Sequence, residues 1–164
     1  MKYLAAAVQL SFTEDSEANL GVAETQIRLA AGAGARLVVI PENFAFLRVD
    51  KTTPQPRIGL THPIVVRMQK LAAELAIDLV LGSVPEPSQT QNKVHNTSVY
   101  IDSKGAISGA YRKMHLFDID IPGRVSIKES DFILAGSDPV IVDGDFGPVG
   151  LSICYDLRFP EIYR

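Results

Sequence analysis

The chain has 164 residues, 46% of them hydrophobic, and its 16 Lys and Arg against 19 Asp and Glu give a net charge of −3 at pH 7. This composition is typical of a folded globular domain and excludes a disordered chain. The mild excess of acidic residues predicts no binding to nucleic acid, because that would need a basic patch. Its single cysteine, Cys154, excludes a disulfide framework and a cysteine-rich zinc site.

The sequence carries no targeting or membrane signal that we can identify. Its N-terminal run lacks the cleavage site of a secretory signal, and no apolar run is long enough to cross a bilayer. We therefore expect a cytoplasmic protein that does not enter a membrane.

Several motifs that could suggest a ligand have simpler interpretations. His62, His95 and His115 lack metal-ligand spacing, so we expect surface or hydrogen-bonding roles for them. Gly32-Ala33-Gly34 follows a helix pattern rather than a strand, and is interpreted as a helix stop rather than a dinucleotide motif. Asn96-Thr97-Ser98 matches a glycosylation acceptor, which a chain without a secretory signal would not use.

The first half of the chain alternates strand and helix patterns. Three short apolar runs are typical of buried strands: Tyr3 to Leu10, Leu37 to Ile40 and Ile77 to Leu81. Between them, Ser16 to Ala31 and Pro63 to Ala76 carry apolar residues at helical spacing, with Ser16 as the candidate N-cap. This order predicts an α/β layered fold with two helices on one face of the sheet.

The second half favours hairpins, so the sheet should be mixed. The strand patterns are His95 to Ile101, Ala106 to Tyr111, Val140 to Val142 and Gly147 to Ile153. Pro85 to Lys93 is polar and turn-rich. Arg112 to Asp138 has no clean period, and such long irregular stretches are often functional loops.

Three reactive side chains each follow a strand pattern. Glu42 comes after the run ending at Ile40, Lys113 after the run ending at Tyr111, and Cys154 after Gly147 to Ile153. Ligands of open α/β sheets bind beyond the carboxyl ends of the strands. If these ends converge, a carboxylate, an ammonium and a thiol share one pocket. Taken singly, each is weak evidence: a lone Cys is more often a small buried apolar residue, and Lys113 beside Arg112 would usually be surface charge.

Taken together, the three contexts resemble the Glu, Lys and Cys motifs of the nitrilase (carbon–nitrogen hydrolase) superfamily. The segments that carry the resemblance are Pro41-Glu42-Asn43-Phe44, Tyr111 to Phe117 (YRKMHLF) and Gly150 to Glu161 (GLSICYDLRFPE). The similarity covers essentially the whole chain and is strongest to the Nit-type ω-amidase and deaminated-glutathione amidase branch. It implies an α-β-β-α sandwich with mixed sheets, usually in a homodimer or larger assembly.

The resemblance also implies roles for the site residues. Glu42 would be the general base, Lys113 the cation and Cys154 the nucleophile, with its pKa lowered by Lys113. Glu129 matches a second glutamate of the family, and the backbone N–H of Tyr155 is a candidate oxyanion donor. No metal or organic cofactor is expected.

The expected substrate is a small carboxylated amide, hydrolysed to acid and ammonia through a Cys thioester. Arg158 is the candidate anion-binding residue, with a salt bridge to Asp156 or Glu161 as its alternative role.

Family members continue well beyond the Cys motif, so residues 1–164 are interpreted as a single, incomplete carbon–nitrogen hydrolase domain, the N-terminal part of the sandwich. Two other functions stay open. The chain could be an inactive truncated domain that only associates with partner chains, or an acyltransferase or amidotransferase of the same superfamily.

Overall fold

A five-stranded mixed sheet organises the molecule, whose computed structural model describes residues 2–50 and 52–164. The strands lie in chain order, β1-β2-β3-β4-β5, with β1, β2 and β3 parallel and the later pairs antiparallel. Their bounds are β1 Leu4–Ala7, β2 Ala35–Val39, β3 Asp78–Pro87, β4 Val94–Ile101 and β5 Ile107–Arg112. The mixed α/β architecture expected from the sequence is confirmed.

Two helices connect the parallel strands, α1 (Ser16–Gly32) and α2 (Pro63–Leu75). The N-cap of α1 is Asp15, not Ser16, because the Asp15 carboxylate accepts the N–H groups of Glu17 and Ala18. His62 caps α2 by accepting the N–H of Ile64, which is one of the hydrogen-bonding roles expected of the histidines.

The two faces of the sheet bury different partners. Alternate residues of the strands pack against both helices in a core that includes Val38, Leu79, Leu81, Val99 and Ile101. The opposite face contributes Leu37, Val80, Tyr100 and Tyr111 to a smaller cluster with Val142, Leu151 and Ile153. Both helices therefore cover one face, as the sequence pattern predicts.

Strand β3 is longer than the sequence predicts, because it continues from Leu81 to Pro87. The prolines are tolerated there because β2 pairs with β3 only as far as Val80, so the later part of β3 is an edge on that side. The pairing with β4 continues through Pro87, after a register shift between Leu81 and Val84.

The rest of the chain forms small hairpins and single turns. The hairpin β6–β7 (Asp118–Ile121, Val125–Lys128) lies inside the stretch that shows no clean period in the sequence. A second hairpin, β8–β9 (Ile141–Gly144, Gly147–Gly150), lies beside β5. Short 3-10 turns occur at Glu129–Asp131, Cys154–Arg158 and Pro160–Tyr163. No described helix is long and apolar enough to cross a membrane.

The helix-covered face should carry most of the stability. Leu79 is fully buried there, whereas Leu29 of α1 is 62% exposed. We expect Leu79→Ala to lower the free energy of unfolding by about 2–5 kcal/mol, since it removes buried apolar contacts and leaves a cavity. The matched change Leu29→Ala should alter it by less than about 0.5 kcal/mol. Chemical denaturation followed by circular dichroism measures both, and equal effects would contradict this account of the core.

Candidate active site

A cavity of about 820 Å³ lies at the edge of the sheet where β2 and β5 end. Its volume suits a small-molecule ligand. Glu42, Lys113, Glu129 and Cys154 all line it, together with segments of the loops that follow β2 and β5. The structure thus brings these four residues together. Glu42 and Lys113 meet because β2 and β5 run in the same direction and end at one edge.

A close backbone approach places Glu42 at this edge. A side-chain carbon at Gly82 of β3 would collide with the backbone of Pro41, so only glycine lets the segment before Glu42 cross β3 here. The next residue of β3, Ser83, accepts the N–H of Asn43 at 2.9 Å. Asn43 has φ +60°, a left-handed conformation that asparagine tolerates better than most residues. Gly82 and Ser83 therefore help to position Glu42, which the sequence did not indicate.

Lys113 lies between two carboxylates. Its Nζ is 3.2 Å from Oε1 of Glu42 and 3.0 Å from each carboxylate oxygen of Glu129. The side chain is only 2% exposed, so the ammonium depends on these partners for solvation. Burial by itself lowers the pKa of Lys113, but the charges of Glu42 and Glu129 outweigh it, and the net pKa is raised. Lys113 is therefore a fixed cation.

Glu129 is held in place by more than Lys113. It begins the 3-10 turn that follows β7, and its Oε2 accepts the backbone N–H of Phe117 at 2.6 Å. The β6–β7 hairpin separates these two residues in sequence and brings them together in space. The segment after Lys113 thus forms a wall of the cavity, as expected of a functional loop.

Cys154 lies at a sharp turn after the last strand. Its φ of +47° is in the left-handed region, which costs a side-chain-bearing residue about 1–3 kcal/mol and must be imposed by the surroundings. The restraint comes from Asp156, whose Oδ2 accepts the N–H of Ile153 at 2.9 Å, across the turn.

Asp156 is fully buried and joins the Cys154 turn to the Lys113 segment. Besides Ile153, its carboxylate accepts the Tyr111 hydroxyl at 2.7 Å and the backbone N–H of His115 at 3.0 Å, and Nδ1 of His115 lies 2.7 Å from it. Burial raises the pKa of Tyr111, and the hydrogen bond from its hydroxyl to Asp156 raises it further. In the sequence, Asp156 figured only as a possible partner of Arg158, because nothing local indicated a contact with residues 41 to 45 positions earlier.

The pKa of Cys154 departs from the sequence expectation. Although Cys154 as a residue is exposed to the cavity, partial burial of its thiol raises the pKa, the negative charge of Glu42 raises it further, and Lys113 opposes both without outweighing them. The expectation of a net lowered pKa is therefore wrong for the resting site: Lys113 does lower the pKa of the thiol, but by less than burial and Glu42 raise it. The thiol is therefore held as S–H, next to a carboxylate that can accept its proton.

Two further expected residues differ in their placement. Tyr155 is the second residue of the 3-10 turn Cys154–Arg158, where backbone N–H groups have no partner within the turn, so its N–H is available. Arg158 is exposed and is not among the residues that line the cavity. The carboxylate of Asp156 forms hydrogen bonds with Tyr111, His115 and Ile153 rather than a salt bridge with Arg158.

Besides Lys113, the cations Arg48 and Lys128 line the cavity. Arg48 stacks over the ring of Phe132, with its guanidinium carbon 4.2 Å from the ring centroid. Its loop is fastened by Glu14, whose Oε1 accepts the N–H groups of Val49 at 2.8 Å and Asp50 at 2.9 Å. These backbone hydrogen bonds lower the pKa of Glu14, so the carboxylate that holds this loop is ionised at neutral pH.

Within residues 2–50 and 52–164, no three His, Cys, Asp or Glu side chains are arranged to hold a metal ion. The chemistry that the cavity itself offers is that of a thiol, a carboxylate next to it and a buried ammonium. Such a combination is found in enzymes in which a cysteine attacks an electrophilic carbon and a neighbouring carboxylate moves the protons.

Comparison with known proteins identifies the family. The carbon-nitrogen hydrolase family model matches residues 4–164, and the chain belongs to that family. It is 37% identical to the chloroplastic omega-amidase of Arabidopsis thaliana, over 94% of this chain and 42% of that protein. It is 38% identical to a deaminated glutathione amidase of Synechocystis, over 99% of this chain and 61% of that protein.

A solved structure shows the same fold. The C. elegans NitFhit protein superposes with a TM-score of 0.82 at 33% identity, over 96% of this chain and 39% of that one. The chain spans about half the length of the curated relatives that it matches.

The thiol can be tested directly, because Cys154 is the only cysteine. We expect the rate of alkylation by iodoacetamide to rise with pH through a midpoint above that of free cysteine, since burial and Glu42 favour the thiol. Glu42→Gln removes the negative charge and leaves Lys113, so its midpoint should be lower. Mass spectrometry of the modified chain measures both profiles. A midpoint for Glu42→Gln equal to or above that of the original chain would contradict the conclusion that Glu42 raises the pKa of Cys154.

Proposed function

We propose that the protein hydrolyses the C–N bond of a small carboxylated amide to an acid and ammonia, through a thioester on Cys154. The observation that carries the proposal is the contact of the buried Lys113 ammonium with Glu42 and Glu129, in the cavity that also holds Cys154. Family membership and the amidase names of the relatives support it.

The resting protonation states set the first step. Cys154 attacks the amide carbon as its thiol proton passes to Glu42, so the C–S bond forms without a free thiolate in the resting site. The charge that develops on the carbonyl oxygen is stabilised by the Lys113 ammonium and by the N–H of Tyr155. Glu42 then gives its proton to the departing nitrogen, and ammonia leaves as the C–N bond breaks.

The second half reverses these proton movements. Water loses a proton to Glu42 and attacks the thioester carbon, and the C–S bond breaks to release the acid. The sulfur regains its proton from Glu42, which restores the resting site. Glu129 keeps Lys113 in position throughout, because it holds the ammonium through both carboxylate oxygens.

Arg48 and Lys128 would bind the carboxylate of the substrate, in the role first expected of Arg158. Both line the cavity, and the stacking of Arg48 on Phe132 holds the guanidinium on its wall. An arginine fork matches a carboxylate better than a single ammonium does, so Arg48 is the principal anchor.

We also propose that the protein acts as a homodimer or larger assembly, on the basis of the family resemblance. Exposed apolar side chains on the last segments, Ile141 and Leu157, are compatible with such a contact. Size-exclusion chromatography with light scattering measures the assembly state.

Removing the nucleophile should abolish turnover. We expect Cys154→Ser to lower the release of ammonia by at least about a thousandfold, because a hydroxyl in this site is a far poorer nucleophile. Lys113→Met should act similarly, whereas Lys70→Met, on the exposed surface of α2, should not. An enzymatic ammonia assay on ω-amides of dicarboxylic acids measures all three variants.

The same assay separates the alternatives. A folded chain that releases no ammonia would favour the inactive, partner-binding domain. Ammonia release that depends on an added amine or alcohol acceptor, with an acylated product, would favour a transferase.

The anion anchor gives a separate test. Arg48→Gln should raise KM for a carboxylated amide about ten- to a hundredfold, since it removes a charge-assisted contact, while KM for an uncharged amide of equal length stays the same. Arg158→Gln is the matched control and should leave both constants unchanged. The opposite result for the two arginines would restore Arg158 as the anchor.

A further inference from the structure

Asn96 contacts both of the residues that handle the proton and the charge. It lies on β4, at the same edge of the sheet, and lines the cavity. Its side-chain Nδ2 donates to Oε1 of Glu42 at 2.6 Å, and its backbone carbonyl accepts the N–H of Lys113 at 2.9 Å. One residue thus holds the side chain of Glu42 and the backbone of Lys113.

The orientation of the Asn96 amide follows from chemistry. An ionised carboxylate only accepts hydrogen bonds, so the amide atom that faces Glu42 must be Nδ2 and not Oδ1. The other atom, Oδ1, is buried and has no hydrogen-bond partner among the described residues. Asn96 as a whole is only 4% exposed. A buried, unpaired carbonyl is unfavourable for folding, so its presence calls for another explanation.

The contact with Glu42 supplies that explanation. Asn96 and Lys113 both donate to Oε1, so Oε2 is the oxygen left to take up a proton. One of these donors lies on β4 and the other just after β5. A carboxylate bound at one oxygen by two such donors cannot rotate freely, and proton transfer depends on such alignment. The side chain of Asn96 is buried against Glu42 and is therefore not accessible as a glycosylation acceptor, although Asn96-Thr97-Ser98 matches that motif.

We propose that Asn96 is a positioning residue, which holds the Glu42 carboxylate through Oε1 and aligns Oε2 for proton transfer with Cys154. This inference rests on the proposed function, in which Glu42 moves the protons. This arrangement favours catalysis over folding stability, since Nδ2 of Asn96 is hydrogen-bonded to Glu42 while its buried Oδ1 has no partner among the described residues.

Asn96→Leu tests the proposal, because leucine has nearly the same volume and no donor. We expect kcat for ammonia release to fall about ten- to a hundredfold with KM changed less than about twofold, and the denaturation midpoint to be unchanged or raised. Ser98→Ala is the matched control. Ser98 is buried two residues along the same strand and donates to the carbonyl of Leu81 at 3.0 Å, so its loss should lower the midpoint and leave kcat intact.

A double-mutant cycle gives a readout that a purely structural role would not move. If Asn96 holds Glu42 near the thiol, Asn96→Leu should speed alkylation of Cys154 at pH 7, toward the rate of Glu42→Gln, and should have no further effect in the Glu42→Gln background. Equal effects in both backgrounds, or a loss of kcat no larger than that of Ser98→Ala, would overturn the proposal.

The alkylation cycle also works without turnover. If the original chain releases no ammonia, the proposed function fails, while the cycle still decides whether Asn96 acts through Glu42. Asn96→Ala, which adds no volume, takes the place of Asn96→Leu if the leucine variant does not fold.

Discussion

The site depends on one buried ammonium. Lys113 is almost fully removed from water, and Glu42 and Glu129, about 3 Å away, raise its pKa against the opposing effect of burial. Burial raises the pKa of Cys154, and the excess of negative charge that two carboxylates leave around one cation raises it further. The protonation of Lys113 and that of Cys154 are therefore coupled, and a change in the charge of either shifts the pKa of the other.

Buried ion pairs of this kind are weak evidence for stability, because the loss of hydration offsets much of the attraction. Here the surrounding structure holds them in place. Gly82 admits the backbone of Pro41, Asp156 holds the turn at Cys154, and the backbone N–H of Phe117 binds Glu129. The left-handed conformation of Cys154 and the unpaired carbonyl of Asn96 are unfavourable features at the same cavity. Their concentration around the proposed reacting groups is what a site selected for chemistry would show.

The two faces of the sheet divide the tasks. The helix-covered face contains the apolar core, whereas the edge beyond β2 and β5 presents polar side chains to the cavity. The face opposite the helices is also connected to the site, because the hydroxyl of Tyr111 on that face donates to Asp156. The sheet thus positions groups that other segments complete, with Arg48 from the loop after β2 and Lys128 from the end of β7.

The sequence by itself determined the alternation of strands and helices, because apolar periodicity and turn residues act within a few positions of each other. Through the resemblance of its local motifs to those of the carbon–nitrogen hydrolase superfamily, it also identified Glu42, Lys113, Glu129 and Cys154 as candidate site residues. It could not determine the end of β3, the cap of α1 or the pKa direction of Cys154. Nor could it show that Asp156 and Asn96 hold the site together, or that Arg48 rather than Arg158 lines the cavity. Each of these depends on contacts between segments tens of residues apart, and such contacts exist only when the chain is folded.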